Sequence, residues 1–196
     1  EEASGALPTP QNRIVLESGT YRVDAGQSLI EWVGRNPNTK HDGTIGISSG
    51  EIQITDNRPS GTVEIDMTAI KNRVWQAIGF NRCSSLTFNP MIFFTDRFPT
   101  AVFTIREARL RDEARAGAPN LDILGTLTLR GITAEIGFDA TVSPVTDGVL
   151  IARAHFDLDR TRWNIIYGSA RFFEHLGMHL VFDTISIELK IVANRQ

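Results

Sequence analysis

The 196-residue chain has a hydrophobic content of 41%, a charged content of 22% and a formal net charge of −3. This length fits one all-β domain or at most two small ones, and it suffices to bury a core. The charge balance excludes a basic nucleic-acid-binding surface, the single cysteine excludes an intramolecular disulfide, and no apolar run reaches the roughly 18 residues of a membrane-spanning helix.

The first ten residues are rich in small residues and proline, which is typical of a flexible leader. A mature chain that has lost a targeting segment would begin in this way, and so would a chain trimmed for another reason. Loss of a signal peptide suits an exported protein. We expect a leader over residues 1–19, one domain over residues 20–194 and a periplasmic or secreted location, with a lipid anchor before residue 1 left open.

Alternation of apolar and polar residues predicts eight or nine strands. A period of two turns one face of a segment inward and the other to water, as in antiparallel strands. In chain order the alternating segments are 20–24, 28–34, 44–54, 61–67, 101–109, 122–131, 134–142, 150–158 and 185–191. Turn residues occupy short spacers at 24–26, 56–59, 130–131 and 146–148. Many strands without crossover helices favour a barrel or sandwich, and closing the sheet removes its edges.

The inward parity changes within the third alternating segment. Ile45 and Ile47 lie at odd positions, whereas Ile52 and Ile54 lie at even ones. Both halves can face the core only if a bulge or a turn lies at residues 48–50.

The first interruption of the pattern covers residues 68–100. Ile70, Val74 and Ile78 recur at a spacing of four, which predicts a short helix with Thr68 as a candidate N-cap. The apolar stretch that follows, residues 85–94, has no clean period.

The second interruption, residues 159–181, is also rich in aromatic residues. Together the two segments hold most of the aromatic side chains: Trp75, Phe80, Phe88, Phe93, Phe94, Phe98, Trp163, Tyr167, Phe172 and Phe173. Connections are usually polar surface segments, so connections rich in phenylalanine must fold over an apolar surface or form an exposed patch. We expect them to act as apolar lids at the mouth or in the interior of a barrel.

The segment 159–169 resembles the hallmark of the YceI-like family. As in that family, it is followed by the sequence FFEHLG at residues 172–177 and by Asp183 before the last strand. Further similar segments lie, in the family's order and spacing, at 21–32, 41–45, 65–70, 98–103 and 125–133. The resemblance spans roughly residues 20–193 and rests on this order more than on any single motif.

The resemblance implies a lipocalin-like, eight-stranded antiparallel barrel, here with a short helix and apolar lid segments. It also implies an elongated cavity for long-chain apolar molecules such as polyisoprenoids and isoprenoid quinones. Members of the family are typically exported and are not generally enzymes, and the resemblance implies the same for this chain. One stretch departs from the family: residues 87–92, TFNPMI, stand where members carry a polar segment with a histidine and two acids. We therefore expect apolar fit, and not a headgroup contact at this stretch, to dominate binding.

We accordingly expect an isoprenoid- or quinone-type lipid in the barrel, without catalysis and without a cofactor. Inward strand residues and lid residues are the expected ligand contacts: Trp32, Ile47, Met67, Phe103, Phe138 and Phe156, with Phe88, Phe93, Phe94, Trp163 and Phe172. Arg162, Asn164 and Tyr167 are candidates for holding a polar headgroup. Asp159 and Arg160 are predicted to form a structural ion pair at one end of the barrel.

Other interpretations of the same residues remain open. The aromatics can simply fill the core of a small barrel, although the resemblance favours a hollow one. The apolar lids can dock a protein partner or form a homodimer. A lipid-modifying enzyme would need an acid–base pair inside the cavity, where the inward positions are almost entirely apolar.

Two further chemistries are weak candidates. Cys83 lies in no recognisable nucleophile motif. His175 and His179, beside Glu174, have a spacing that can hold zinc, but Gly177 lies between them and a solvated histidine pair is the usual case. We therefore predict neither a catalytic nor a metal site.

Overall fold

The computed structural model describes residues 14–73, 93–111, 114 and 117–196, the side chains of 144–146 and 178 excepted. Its strands follow the predicted order and are all antiparallel. Their bounds are β1 Gly19–Val23, β2 Leu29–Arg35, β3 Lys40–Thr55, β4 Arg58–Asn72, β5 Thr100–Leu110, β6 Leu121–Leu129, β7 Ile132–Thr146, β8 Val149–Asp159 and β9 Thr184–Arg195. Two short 3₁₀ helices, Arg160–Trp163 and Gly177–His179, lie between β8 and β9.

The sheet closes into a barrel with eight strand positions. Each strand from β2 to β9 pairs with the next, and β9 pairs back with β2. β1 pairs with the same two neighbours as β2, namely β3 and β9, but farther along them. Hence β1 and β2 share one position, separated by a turn in which the Asp24 carboxylate accepts the N–H groups of Gly26 and Gln27. The predicted eight-stranded antiparallel barrel is confirmed.

Three tight hairpins lie where the sequence predicted turns. Each centres on two residues with positive φ, at 56–57, 130–131 and 147–148. Positive φ at both central positions is typical of type I′ turns, whose twist matches that of the flanking strands. Five of the six central residues are Asp, Asn or Gly, which adopt this conformation with little strain and so locate the hairpins from sequence; Arg130 is the exception.

The predicted irregularity in the third strand is also confirmed. Where β3 pairs with β4, the register shifts between Thr44 and Gly46 and again between Ile47 and Ser49. As a result Ile47, Ile52 and Ile54 are all buried despite their different parity. An extra residue in one strand is the usual way to restore an inward face.

The helix predicted to begin at Thr68 is wrong in its first part. β4 continues to Asn72 and contains both Thr68 and Ile70. Its register against β3 shifts between residues 66 and 71, so Met67 and Ile70, three positions apart, are both buried. The bulge thus reproduces an apolar spacing that is typical of a helix. Val74 and Ile78 lie outside the described residues.

The ends of the barrel differ in their connections. One end, here called the base, carries the hairpins at 56–57 and 147–148 and the segment before β1. The other end, here called the mouth, carries the β2–β3 connection at 36–39, residues 93–99, the hairpin at 130–131 and the segment 160–183. No helix within the described ranges is long and apolar enough to cross a bilayer.

The predicted leader, residues 1–19, is described only from residue 14 onward. Leu16 is buried against the core, and its N–H donates to Asn57 Oδ1 at 2.7 Å. Residues 14–18 therefore pack across the base, and β1 begins at Gly19.

Candidate functional site: an apolar cavity along the barrel

An elongated cavity of about 310 Å³ runs through the barrel interior. Residues from every strand between β2 and β9 line it, from Leu16 and Val142 at the base to Asn36, Tyr167 and Phe182 at the mouth. Its size lies at the lower end of the range typical of small-molecule sites, about 300–1,000 Å³.

Inward-facing side chains that keep some accessible surface indicate a hollow interior. Phe103, Phe156, Ile187 and Leu189 line the cavity and yet remain only half-buried. In a barrel filled by side chains, inward residues would cover one another completely. The predicted alternation is therefore right, and the interior that it encloses is not fully packed.

Three phenylalanines form a stacked cluster on one side of this cavity. Phe138 stacks on Phe156 with ring centroids 4.3 Å apart, and Phe103 tilts against Phe138 at 5.6 Å. Gly125 makes room for the cluster, because a Cβ there would lie 2.5 Å from Phe103 Cζ. The wall at this level is thus aromatic, and its packed rings offer apolar surface to an apolar chain.

The residues predicted to bind ligand fall into two sets. Seven line the cavity: Trp32, Met67, Phe93, Phe103, Phe138, Phe156 and Tyr167. Five lie elsewhere in the fold: Ile47, Phe94, Trp163, Asn164 and Phe172. Phe88, and with it the departing stretch 87–92 and Cys83, lies outside the described residues. Contact of any of these residues with a ligand stays a prediction.

Trp163 fastens the segment after β8 to the barrel wall instead of lining the cavity. It is fully buried, and its Nε1–H donates to the Leu127 carbonyl oxygen on β6 at 2.9 Å. The Arg162 guanidinium lies over its ring and donates to the Glu135 carbonyl oxygen, so Arg162 faces away from the cavity.

The other non-lining residues have local or surface positions. Asn164 adopts a left-handed conformation that ends the first 3₁₀ helix, and its main-chain oxygen accepts from Arg130. Arg130 in turn lies over the ring of Phe94, 4.5 Å from its centroid. Phe94 and Phe172 are 44% and 53% exposed, and Ile47 is buried in the core.

A buried arginine organises the mouth. Arg160 donates to three main-chain carbonyl oxygens: Nε to Phe182 at 3.1 Å, Nη1 to Ile165 at 2.6 Å and Nη2 to Val181 at 3.0 Å. Burial lowers its pKa, and the nearby charges of Asp183 and Asp159 act in the opposite direction. One guanidinium thus holds both ends of the irregular segment 164–183, whose carbonyl groups would otherwise lack partners.

The predicted ion pair of Asp159 with Arg160 is wrong in its partners. Arg160 Nη2 lies 3.5 Å from Asp183 Oδ1, whereas Asp159 binds Arg171 Nη1 at 2.8 Å. Arg171 also reaches Asp183 at 3.2 Å and so joins the two pairs into one network. Burial raises the pKa of Asp159, but hydrogen bonds from Thr161 and Arg171 outweigh it and lower the pKa below its usual value.

The polar part of the cavity wall lies near the mouth and was largely missed from sequence. His41 lines the cavity, as do Arg35 and Asn36, and Trp32 lies next to them. Extending the alternation of β3 back from Ile45 through Gly43 would have placed His41 inward. Among the described lining residues there is no carboxylate.

The zinc-spaced histidines do not converge on a site. His175 has positive φ and is exposed, and His179 ends the second 3₁₀ helix on the surface. Across the described ranges no group of three or more potential ligands lies close enough to hold a metal ion.

Comparisons with known proteins agree on the fold. The model of the YceI-like domain matches residues 21–193, whereas no curated protein matches the chain significantly. The structure of BcnA from Burkholderia cenocepacia is similar with a TM-score of 0.61 at 17% identity, covering 88% of this chain and 99% of that one. A polyisoprenoid-binding domain from Saccharophagus degradans, implicated in plant cell wall breakdown, gives 0.63 at 12% identity, covering 92% and 100%.

Proposed function

The chain belongs to the YceI-like family, and on that premise we propose that it binds an elongated apolar lipid of the isoprenoid type inside the barrel, without catalysis. The observation that carries the proposal is the hollow, almost wholly apolar cavity that extends from the base to the mouth. The similar fold of a polyisoprenoid-binding domain supports the same class of ligand.

Burial of the ligand's hydrocarbon surface would supply the affinity. Each Å² of apolar surface removed from water contributes about 25 cal/mol, and the cost of ordering the two partners offsets part of this gain. The aromatic wall of Phe103, Phe138 and Phe156 offers rigid apolar surface that is already in place. Binding would therefore depend on the shape of the cavity more than on any single contact.

Absence of catalysis is part of the proposal. General acid–base chemistry needs a titratable pair within reach of the ligand. The described lining residues include His41 but no carboxylate to serve with it, and the cavity residues deeper than His41 are almost all apolar. Action as a carrier in the periplasm or outside the cell also remains a proposal.

A variant that fills the cavity tests the proposal directly. Ala152 on β8 faces the cavity, whereas Ile151 beside it faces outward. We expect Ala152→Phe to weaken binding of geranylgeranylacetone about tenfold or more, because the new ring occupies ligand space, and Ile151→Phe to leave it unchanged. Affinity is measured by displacement of the fluorescent apolar reporter N-phenyl-1-naphthylamine. Equal affinities in both variants would place the ligand outside the barrel and refute the proposal.

A second candidate function is self-association through the mouth. Tyr167, Phe172, Phe173 and Phe182 are between 44% and 55% exposed there, and clustered exposed aromatics are typical of interfaces. Sedimentation of the wild type and of the double variant Phe172→Ser, Phe173→Ser tests it. A dimer that the double variant abolishes would support a homodimer, and a wild-type monomer at all concentrations would exclude it.

A further inference from the structure

Two buried polar atoms in the cavity wall have no hydrogen-bond partner among the described residues. They are the indole Nε1 of Trp32 and the imidazole Nδ1 of His41. A buried donor or acceptor without a partner costs about 1–3 kcal/mol, and most buried polar groups in proteins are satisfied. Two such atoms in one cavity call for a polar partner that the described residues do not supply.

Strand register brings the two side chains to the same part of the wall. Trp32 on β2 pairs with Gly43 on β3, and the next pair on the same face joins Gly34 to His41. Trp32 and His41 are therefore diagonal neighbours, about 7–8 Å apart at the backbone and within reach of each other's long side chains. Gly43 fixes the indole, because a Cβ there would lie 2.9 Å from Trp32 Cε2.

The pair also lies at a defined depth. Arg35 and Asn36, which follow Trp32 and Gly34, line the cavity at the mouth, and the Phe182 N–H donates to the Arg35 carbonyl oxygen at 2.9 Å. The opposite end of the cavity, at Leu16 and Val142, is apolar. A ligand with one polar end would thus place that end near the mouth and its hydrocarbon toward the base.

The donor set restricts the chemistry of that polar end. An indole N–H can only donate, so the ligand must present an acceptor to Trp32. Three arginines are among the lining residues. The guanidinium of Arg160 is committed to three main-chain carbonyls. Arg35 and Arg153 are exposed at outward positions of their strands, next to the inward Gly34 and between the inward Ala152 and Ala154, and Arg35 donates to the Ser186 hydroxyl. A phosphate needs cations free to bind it, usually by paired hydrogen bonds. The wall therefore favours an uncharged oxygen.

We propose that Trp32 and His41 form a polar anchor near the mouth for one uncharged carbonyl or hydroxyl oxygen at the end of an otherwise apolar ligand. This inference rests on the proposed lipid-binding function and adds the chemistry of the ligand's polar end and its orientation in the barrel. The headgroup candidates Arg162 and Asn164 have no part in it, since neither lines the cavity.

Three probes and three variants test the anchor. The probes are geranylgeranylacetone, the matching hydrocarbon without the carbonyl, and geranylgeranyl diphosphate, each measured by displacement of N-phenyl-1-naphthylamine. Trp32→Phe removes the N–H and keeps an aromatic ring, and His41→Leu removes the imidazole. His155→Leu is the matched control, because it makes the same change as His41→Leu at an exposed position of β8 that does not line the cavity.

We expect the wild type to bind the ketone about 3- to 10-fold more tightly than the hydrocarbon. Trp32→Phe and His41→Leu should each lose most of this preference, whereas His155→Leu should keep it. The preference is the ratio of the two affinities within each variant, so a change in the cavity wall that affects both probes alike cancels.

Other results would overturn the anchor. A preference for the ketone that survives in both Trp32→Phe and His41→Leu would refute it. Tightest binding of the diphosphate, or loss of the preference in His155→Leu alone, would also refute it. Equal wild-type binding of ketone and hydrocarbon would refute the anchor and leave the proposed function standing. Failure of every probe to bind would refute the proposed function itself, and the anchor with it.

Discussion

The base and the mouth of the barrel are closed by different physical means. At the base, two-residue hairpins join β3 to β4 and β7 to β8, residues 111–120 join β5 to β6, and Leu16 covers the apolar interior. At the mouth, the long segment 160–183 has little regular structure, and buried polar groups hold it in place. Side chains at the mouth also remain exposed, among them Tyr167 at 55%.

The base is thus the end whose sequence signals specify the fold, and the mouth is the end that offers a ligand access to the cavity. Tight turns and apolar contacts need only local sequence signals and give a rigid end. A segment held by a few buried hydrogen bonds can open at a lower free energy than the strands themselves. The mouth is therefore the end through which a ligand would enter, and the polar lining atoms lie there too.

The largest expected effect follows from removing the arginine that organises the mouth. Arg160→Ala leaves three carbonyl oxygens without their partner and removes one of the two arginines beside Asp183. We expect a loss of roughly 3–5 kcal/mol in the free energy of unfolding. Urea denaturation measures the loss, and hydrogen exchange should show it first in residues 164–183. Arg171→Ala is the control, because its exposed side chain contributes less than about 1 kcal/mol. Equal losses in the two variants would contradict the central role of Arg160.

Removing the apolar closure of the base is expected to have a somewhat smaller effect. Leu16→Ala deletes a fully buried side chain and should cost about 2–3 kcal/mol. Val15→Ala, at the exposed neighbouring position, should change stability by less than about 0.5 kcal/mol. Hydrogen exchange at residues 164–183 should be the same in both variants. Faster exchange at the mouth of Leu16→Ala would mean that the two ends are coupled.

The fold could be predicted where one local rule decides the structure. Period two placed Phe138 and Phe156 inward, and residues such as Asp147–Gly148 predicted their turn, because strand alternation and positive φ leave a direct mark on the sequence. The helix prediction failed at Thr68 and Ile70, which belong to β4, because an apolar spacing of three or four residues arises at a bulge as well as in a helix. Periodicity cannot separate the two.

The candidate site could be predicted only in part, because its remaining features depend on contacts between distant residues. The apolar character of Trp163 predicts its burial. The neighbouring sequence does not indicate that its indole N–H donates a hydrogen bond to the Leu127 carbonyl oxygen and not to a ligand. Arg160 finds acceptors at residues 165, 181 and 182, and main-chain carbonyls have no sequence signature. Parity therefore identified lining residues on strands better than those on the irregular segment.

The smallest expected effect concerns the carboxylate that begins the first 3₁₀ helix. Asp159 accepts the Thr161 N–H at 3.0 Å and pairs with Arg171. Asparagine can keep the cap acceptor, so Asp159→Asn loses mainly the charge pairing with Arg171 and should cost about 0.5 kcal/mol near pH 7. Because the pKa of Asp159 in the folded protein lies below its ordinary value of 3.8, its contribution is present above that value and is lost as the pH falls through the folded pKa. The stability difference between wild type and Asp159→Asn, measured by urea unfolding at successive pH values, should therefore shrink in acid. Asp157→Asn, at an exposed position of the same strand, should differ little from wild type at every pH. A difference for Asp159→Asn that stays constant down to the lowest pH would contradict a stabilising role of the ionised Asp159 carboxylate, and Arg160 alone would then hold the mouth.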